Sequence, residues 1–295
     1  MHRRSPIGSA LLVVVAAVSQ EVGAAFAVGL FAALGPVGAA FARLVVAGLI
    51  LCLAVRPRLR GLAGRAWMSA SALAAALVVM NVSFYVSLTR IPLGVAVTVE
   101  ALGPLALSVM VSRRKSAWLW AMLALLGVAL LSLTGVRIGR LDTVGLAFAA
   151  AAGASWAGYI LATARAGADF PKLDGLAVAT AIGALIMAPF AVVVIDLDAA
   201  LRLQVLGLAA VVGVMSSVIP YSLELISLRR LPAETFAILT CLSPVVAAVA
   251  GWLVLGQHLA VTGYAAIVLV TVASIGAVHS ARDRLARSDT RLITG

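Results

Sequence analysis

Charge is what this chain has least of. Only 11% of its 295 residues are Asp, Glu, Lys or Arg, where a soluble domain carries about 25%. So few charges cannot coat a water-soluble globule, and that class is excluded. Cysteine is scarce as well. Cys52 and Cys241 both fall in apolar runs and read as small apolar side chains, not as a disulfide or a metal site. Histidine occurs only as His2, His258 and His279, and no His/Cys/Asp/Glu grouping has metal-ligand spacing. A glycine-rich nucleotide loop is missing, so no cofactor is expected and ATP-driven pumping by this chain is disfavoured. With no polar linker or low-complexity stretch, 1–295 reads as a single membrane domain.

What the chain does have is hydrophobic sequence: 63% of residues, with a mean hydropathy of +1.15. Apolar stretches of membrane-crossing length recur from end to end. They place spans at about 8–28, 37–55, 67–88, 92–112, 117–135, 144–164, 175–195, 203–226, 233–255 and 260–279, each of roughly twenty residues as a ~30 Å hydrocarbon layer requires. The fold class expected is an all-α membrane protein with ten transmembrane helices.

The net charge of +11 invites a nucleic-acid reading, but its distribution points to topology. With the amino terminus inside, seventeen Lys and Arg (positions 3, 4, 56, 58, 60, 65, 113, 114, 115, 165, 172, 229, 230, 282, 284, 287 and 291) fall on the inner side. Only Arg90, Arg137, Arg140 and Arg202 fall outside. That asymmetry is the positive-inside bias of a multi-pass protein with both termini cytoplasmic. The partner of the basic surface is the lipid bilayer, with no nucleic acid expected. Ala25-Phe26-Ala27 mimics a signal-peptidase site, but Gln20 and Glu21 interrupt the apolar run before it, and cleavage would break the repeat.

That repeat shows in Arg90-Ile91-Pro92 followed by Gly103-Pro104, and in Arg230-Leu231-Pro232 followed by Ser243-Pro244. The copies are 140 residues apart (232 minus 92). Repeat one is about 5–137 and repeat two about 142–280, with a basic tail at 281–295. Five helices per repeat is an odd number, so the repeats enter the membrane in opposite senses. Pro104 and Pro244 interrupt the fourth and ninth spans near their middles, and such paired breaks mark transporter sites at the bilayer midplane.

Four charges in the spans need a reason, because ionised groups in the bilayer are expensive. Glu100 lies about 12 Å into span four at 1.5 Å per residue, too deep to snorkel, and Pro104 frees its carbonyl oxygen as well. It is a site candidate, or else a structural carboxylate paired with Arg43 or a tyrosine. Arg43 can bind a substrate carboxylate or snorkel outward. Glu21 is a pore-lining candidate. Glu224 faces the cytoplasmic headgroups or forms an inner gate or proton relay. Tyr85, Trp156, Tyr159 and Tyr221 supply aromatic walls and hydroxyl donors, or simply packing.

Several stretches carry a family likeness: Met80-Asn81-Val82-Ser83-Phe84-Tyr85, Pro92 through Leu105, Ala154 through Leu161, and Pro220-Tyr221-Ser222-Leu223-Glu224. The chain resembles the EamA-type branch of the drug/metabolite transporter superfamily, and within it the bacterial inner-membrane threonine/homoserine exporters. The resemblance implies ten helices in two inverted five-helix repeats, and export of small amino acids driven by the proton gradient. It also implies that Gln20, Arg43, Asn81, Tyr85, Glu100, Trp156, Tyr159 and Glu224 match the exporter pattern. Three positions depart from it. Ser243 stands where such exporters tend to have Glu, Gln257 replaces a Glu after span nine, and Glu21 replaces a small residue. The expected partner is an amino-acid-like small molecule, and the subunit number stays open, a monomer included. The rivals are a broad-specificity drug or metabolite efflux transporter, a membrane-embedded enzyme of lipid precursors, and a non-transporting membrane scaffold. The sequence offers no paired acid and base near an interface for the enzyme.

Overall fold

A computed structural model describes residues 6–112, 119–120, 122–124, 126–127, 142–228, 240–273 and 275–276, and among them no strand occurs. Its helices are α1 (Pro6–Val28), α2 (Phe31–Val55), α3 (Gly64–Leu88), α4 (Leu93–Glu100), α5 (Leu102–Ser112), α6 (Thr143–Asp169), α7 (Asp174–Val194), α8 (Leu197–Ala200), α9 (Leu203–Gly213), α10 (Ile219–Leu228) and α11 (Ser243–Leu255). A further apolar helix, α12, runs Val261–Ala273. Six helical stretches are long and apolar enough to cross a membrane, beginning at Leu11, Phe31, Gly64, Thr143, Asp174 and Leu203. The protein is an all-helical, multi-pass membrane protein.

Each element follows from its local sequence. α2 starts earlier than the hydropathy suggests but carries a kink at Gly35, with φ 63° and ψ 173°, just before Pro36. The left-handed φ suits glycine, and the regular part of the helix begins where the second span was expected. α4 ends at Glu100, and α5 resumes at Leu102 with Pro104 in its first turn. A proline there lacks only an N–H that a helix start leaves unused. In the later copy a turn at Cys241–Leu242 precedes α11, whose first turn holds Pro244. The interruptions at Ala101 and Cys241 are 140 residues apart (241 minus 101), the spacing of the sequence repeat. Arg230, Leu231, Pro232 and Glu234, most of the fifth expected span, and the basic tail lie outside the described residues.

The span expected as one helix over 203–226 is three pieces. Between α9 and α10, residues Val214–Val218 form a π-helical turn. Pro220 explains it: without an N–H it cannot bond the carbonyl of Ser216 in α geometry or of Met215 in π geometry.

Packing pairs α3 with α6 along their lengths and α2 with α7, while α1 lies against α9, the π turn, α10 and α11. α4 sits between α6 and α11. Small residues allow these approaches. Ala39, Ala40 and Ala47 of α2 and Ala70 and Ala74 of α3 are fully buried. In lipid the association energy comes from close contact, not from expelled water. Large apolar side chains such as Leu185, Val193 and Leu203 point outward instead, as lipid-facing positions should.

Candidate functional site

The centre of the bundle is built around one guanidinium. Arg43 is buried on α2, where an uncompensated charge would be costly. Its Nε donates to Ser217 Oγ at 2.6 Å and its Nη1 to the Tyr85 hydroxyl at 3.4 Å. Nη2 donates to the Ser216 carbonyl and to the Tyr221 hydroxyl, the latter at 2.9 Å. The guanidinium carbon lies 5.6 Å from the ring centroids of both Tyr85 and Tyr221, so aromatic faces and oxygen acceptors share the task of replacing water. A guanidinium has five N–H donors. Four are occupied by these contacts, which leaves one on Nη1 without a partner among the described residues. No carboxylate is in ion-pair contact with Arg43 among the described residues, so the expected alternative of a Glu100–Arg43 pair is not what the structure holds.

Pro220 supplies part of this arrangement. The Ser216 carbonyl it frees is the one Arg43 takes, and the Met215 carbonyl accepts from Ser19 Oγ at 2.7 Å. α1 comes close enough for this because Gly23 lies on the π turn. A Cβ there would meet Ser216 Oγ at 2.4 Å. Ser19, Ser216 and Ser217 are therefore site residues that sequence reasoning missed. The sequence hints at the π turn only through Pro220, three residues after Ser216-Ser217, and it marks none of the three serines as a partner of Arg43 or of α1.

Three carboxylates surround this centre, each buried: Glu21 on α1, Glu100 at the end of α4 and Glu224 on α10. Glu21 feels the charges of Glu100, Arg43 and Glu224, and its Oε2 has no hydrogen-bond partner among the described residues. Glu100 sits on the broken helix, with its carbonyl oxygen 2.5 Å from where a Cβ on Gly153 would be. Glu224 is turned inward and not to the headgroups; Tyr159 donates to its Oε2 at 3.4 Å. Tyr159 and Tyr221 pack with their rings tilted by 40° and centroids 5.7 Å apart. Asn81 donates to the Leu77 carbonyl at 2.7 Å and lies 3.4 Å from the Tyr221 hydroxyl. Of the remaining candidates, Trp156 is half-buried against the group that includes Tyr159 and Tyr221. Gln20 is half-buried beside Glu21. Neither is hydrogen-bonded to Arg43 among the described residues.

The two ends of the bundle differ. At the α3–α4 end, Arg90 Nη1 meets Asp142 Oδ2 at 2.6 Å, while Asp142 Oδ1 caps α6 by accepting from Val144 N and Gly145 N. The amide of Gly145 first, and then Arg90, hold the Asp142 carboxyl below the usual aspartate range. At the same end Gln257 Oε1 accepts from Leu93 N at 3.0 Å and caps α4. At the α6–α7 end, Arg65 pairs with Asp169 at 3.3 Å. A narrow cleft opens there, lined by Lys172, Thr163 and Leu73 and reaching Tyr159 and Tyr221.

Residues 143–278 match the EamA-like transporter family. The threonine/homoserine exporter RhtA of Salmonella typhimurium is 36% identical over 281 residues, 95% of this chain and 95% of that protein. The chain belongs to the EamA-like transporter family. RhtA of Escherichia coli is 35% identical over the same coverage. A protein of known crystal structure, 20% identical, shares the fold with a TM-score of 0.63 across 95% of this chain and 99% of its own. In this EamA-like transporter, no grouping of three or more His, Cys, Asp or Glu suited to a metal occurs among the described residues.

Proposed function

We propose that the protein is a secondary active exporter of small amino acids of the threonine and homoserine kind, working across the bacterial inner membrane and driven by protons. The observation that carries this reading is a buried set of one guanidinium and three carboxylates, inside a chain 36% identical along 95% of its length to a threonine/homoserine exporter. The zwitterion places its ammonium on Glu100 and its carboxylate on the remaining Nη1 hydrogen of Arg43. Asn81, Tyr85, Trp156, Tyr159 and Tyr221 form the polar and aromatic wall, with Gln20 and Glu21 on the facing helix. Glu224, behind Tyr159, passes protons toward the α6–α7 cleft, which under the positive-inside rule opens to the cytoplasm.

The architecture we propose is one membrane domain of ten crossings in two inverted five-helix repeats, with both termini cytoplasmic. The packing pattern supports it. Shifting by one repeat exchanges α3 with the α9–α10 span and α6 with α1, and both α3–α6 and α1–α10 are in contact. Two mirror-related openings follow from such symmetry, and the repeat breaks at Ala101 and Cys241 set the midplane.

Uptake of labelled amino acids into inside-out vesicles, with and without an imposed pH gradient, tests the proposal. Threonine and homoserine should accumulate only with the gradient, and Glu100→Gln should lower uptake by more than about tenfold, the loss of one charge-assisted contact or more. Undiminished uptake by that variant removes the site assignment. Preference for bulky cations or aromatics over amino acids favours instead a broad efflux transporter using the same carboxylates.

A further inference from the structure

The charge inventory of the site is lopsided. Glu21, Glu100 and Glu224 are all buried, and the cation among them, Arg43, spends its donors on two serines and two tyrosines. A zwitterionic solute brings one ammonium, enough to engage one of the three carboxyls and leave the others without a cationic partner. Glu21 is the least provided for. Its residue is 2% exposed, and Oε2 accepts from nothing among the described residues. A buried acceptor left this way has given up its hydrogen bonds to water with no replacement. The carboxylate lies within electrostatic reach of Glu100, Glu224 and Arg43, so their charges act on it. Ser19, two residues earlier on α1, is already committed to the Met215 carbonyl and offers Glu21 no donor.

An ammonium group answers both deficits, since it brings one positive charge and three donors. We infer that Glu21 is a receptor for a second cationic group on the solute, so that the transporter carries short diamino acids as well as, or in preference to, their hydroxylated counterparts. The inference rests on the exporter reading above and deepens it. With the α-ammonium on Glu100 and the α-carboxylate on Arg43, a side-chain ammonium is what the Oε2 of Glu21 is placed to accept. The informative pair is homoserine and 2,4-diaminobutyrate. They share backbone and length and differ in a terminal hydroxyl against a terminal ammonium, so size does not confound the comparison.

Inside-out vesicles containing the full chain decide it, with both solutes labelled and kcat/KM determined for each. Wild-type protein should carry 2,4-diaminobutyrate at least as efficiently as homoserine. Glu21→Gln, which keeps shape and removes charge, should lower the diaminobutyrate-to-homoserine ratio on the order of tenfold, and Glu21→Asp should hold it within about threefold. Stabilisation of the purified protein by 2,4-diaminobutyrate in a thermal melt, present in wild type and lost in the folded Gln variant, is a second readout independent of turnover. Homoserine transport with diaminobutyrate excluded overturns the inference and leaves the exporter reading standing. A ratio unchanged by Glu21→Gln also overturns it, and assigns Glu21 to proton coupling or packing. Diaminobutyrate transport without homoserine transport sustains the inference and defeats the proposed substrate, and transport of neither defeats both.

Discussion

Arg43 is held by acceptors that a different cation cannot satisfy together. Ser217 Oγ, the Ser216 carbonyl and the Tyr85 and Tyr221 hydroxyls lie around a planar group. Lysine offers a single point of charge with three donors and no plane to set between two rings. Arg43→Lys should therefore strand at least one buried acceptor, at about 1–3 kcal/mol each. A lower melting temperature in detergent and uptake reduced more than about tenfold would show it, and an unchanged melting temperature would contradict the keystone role. At this scale much of the site could be read from the sequence. Arg43, Glu100, Tyr85 and Tyr221 stand out because polar and aromatic groups are scarce in apolar runs. Ser216 and Ser217 do not, because a serine in an apolar helix ordinarily bonds a carbonyl one turn back. What distinguishes Ser217 is a bond to a residue 174 positions away, and sequence spacing carries no trace of it.

Broken helices hold together only where backbones can touch. A Cβ on Gly103 would lie 1.8 Å from the Gly153 carbonyl oxygen, and one on Gly153 would lie 2.5 Å from that of Glu100. Neither obstacle is a flexible side chain, so the helices themselves would have to separate. Gly153→Ala should then cost about 1–3 kcal/mol or more and lower uptake by moving Glu100. Gly158→Ala, on the same helix with nothing within 4 Å of the added carbon, should be close to neutral. Equal melting curves for the two variants would refute this account of the α5–α6 crossing. The breaks at Ala101 and Cys241 were legible because proline has a fixed effect on the carbonyl four residues back. The π turn was not. Pro220 predicts a freed carbonyl, but only the neighbouring helices decide whether the chain kinks, widens or finds outside donors.

For the molecule as a whole, the ion pair between Arg90 and Asp142 ties the end of α3 to the start of α6. The folded Asp142 carboxyl titrates below its ordinary value of about 4. Its contribution is thus complete above the unfolded pKa and disappears as pH falls through the lower, folded one. The melting-temperature difference between wild type and Asp142→Asn should be flat from neutral pH down to about 5 and should shrink below about 4. A difference that grows on acidification would reverse the sign and disprove the assignment. Class and membrane character were plain from composition, and sidedness was proposed from the basic residues. Which faces meet was not, because alanine and glycine seams look alike until helices choose partners. The π turn has one more effect. Arg43 and Ser19 grip oxygens that every amino acid possesses, so side chains at 215 and 216 can drift over generations while the clasp persists, provided a proline still follows at 220 and any newcomer at 216 fits beside Gly23.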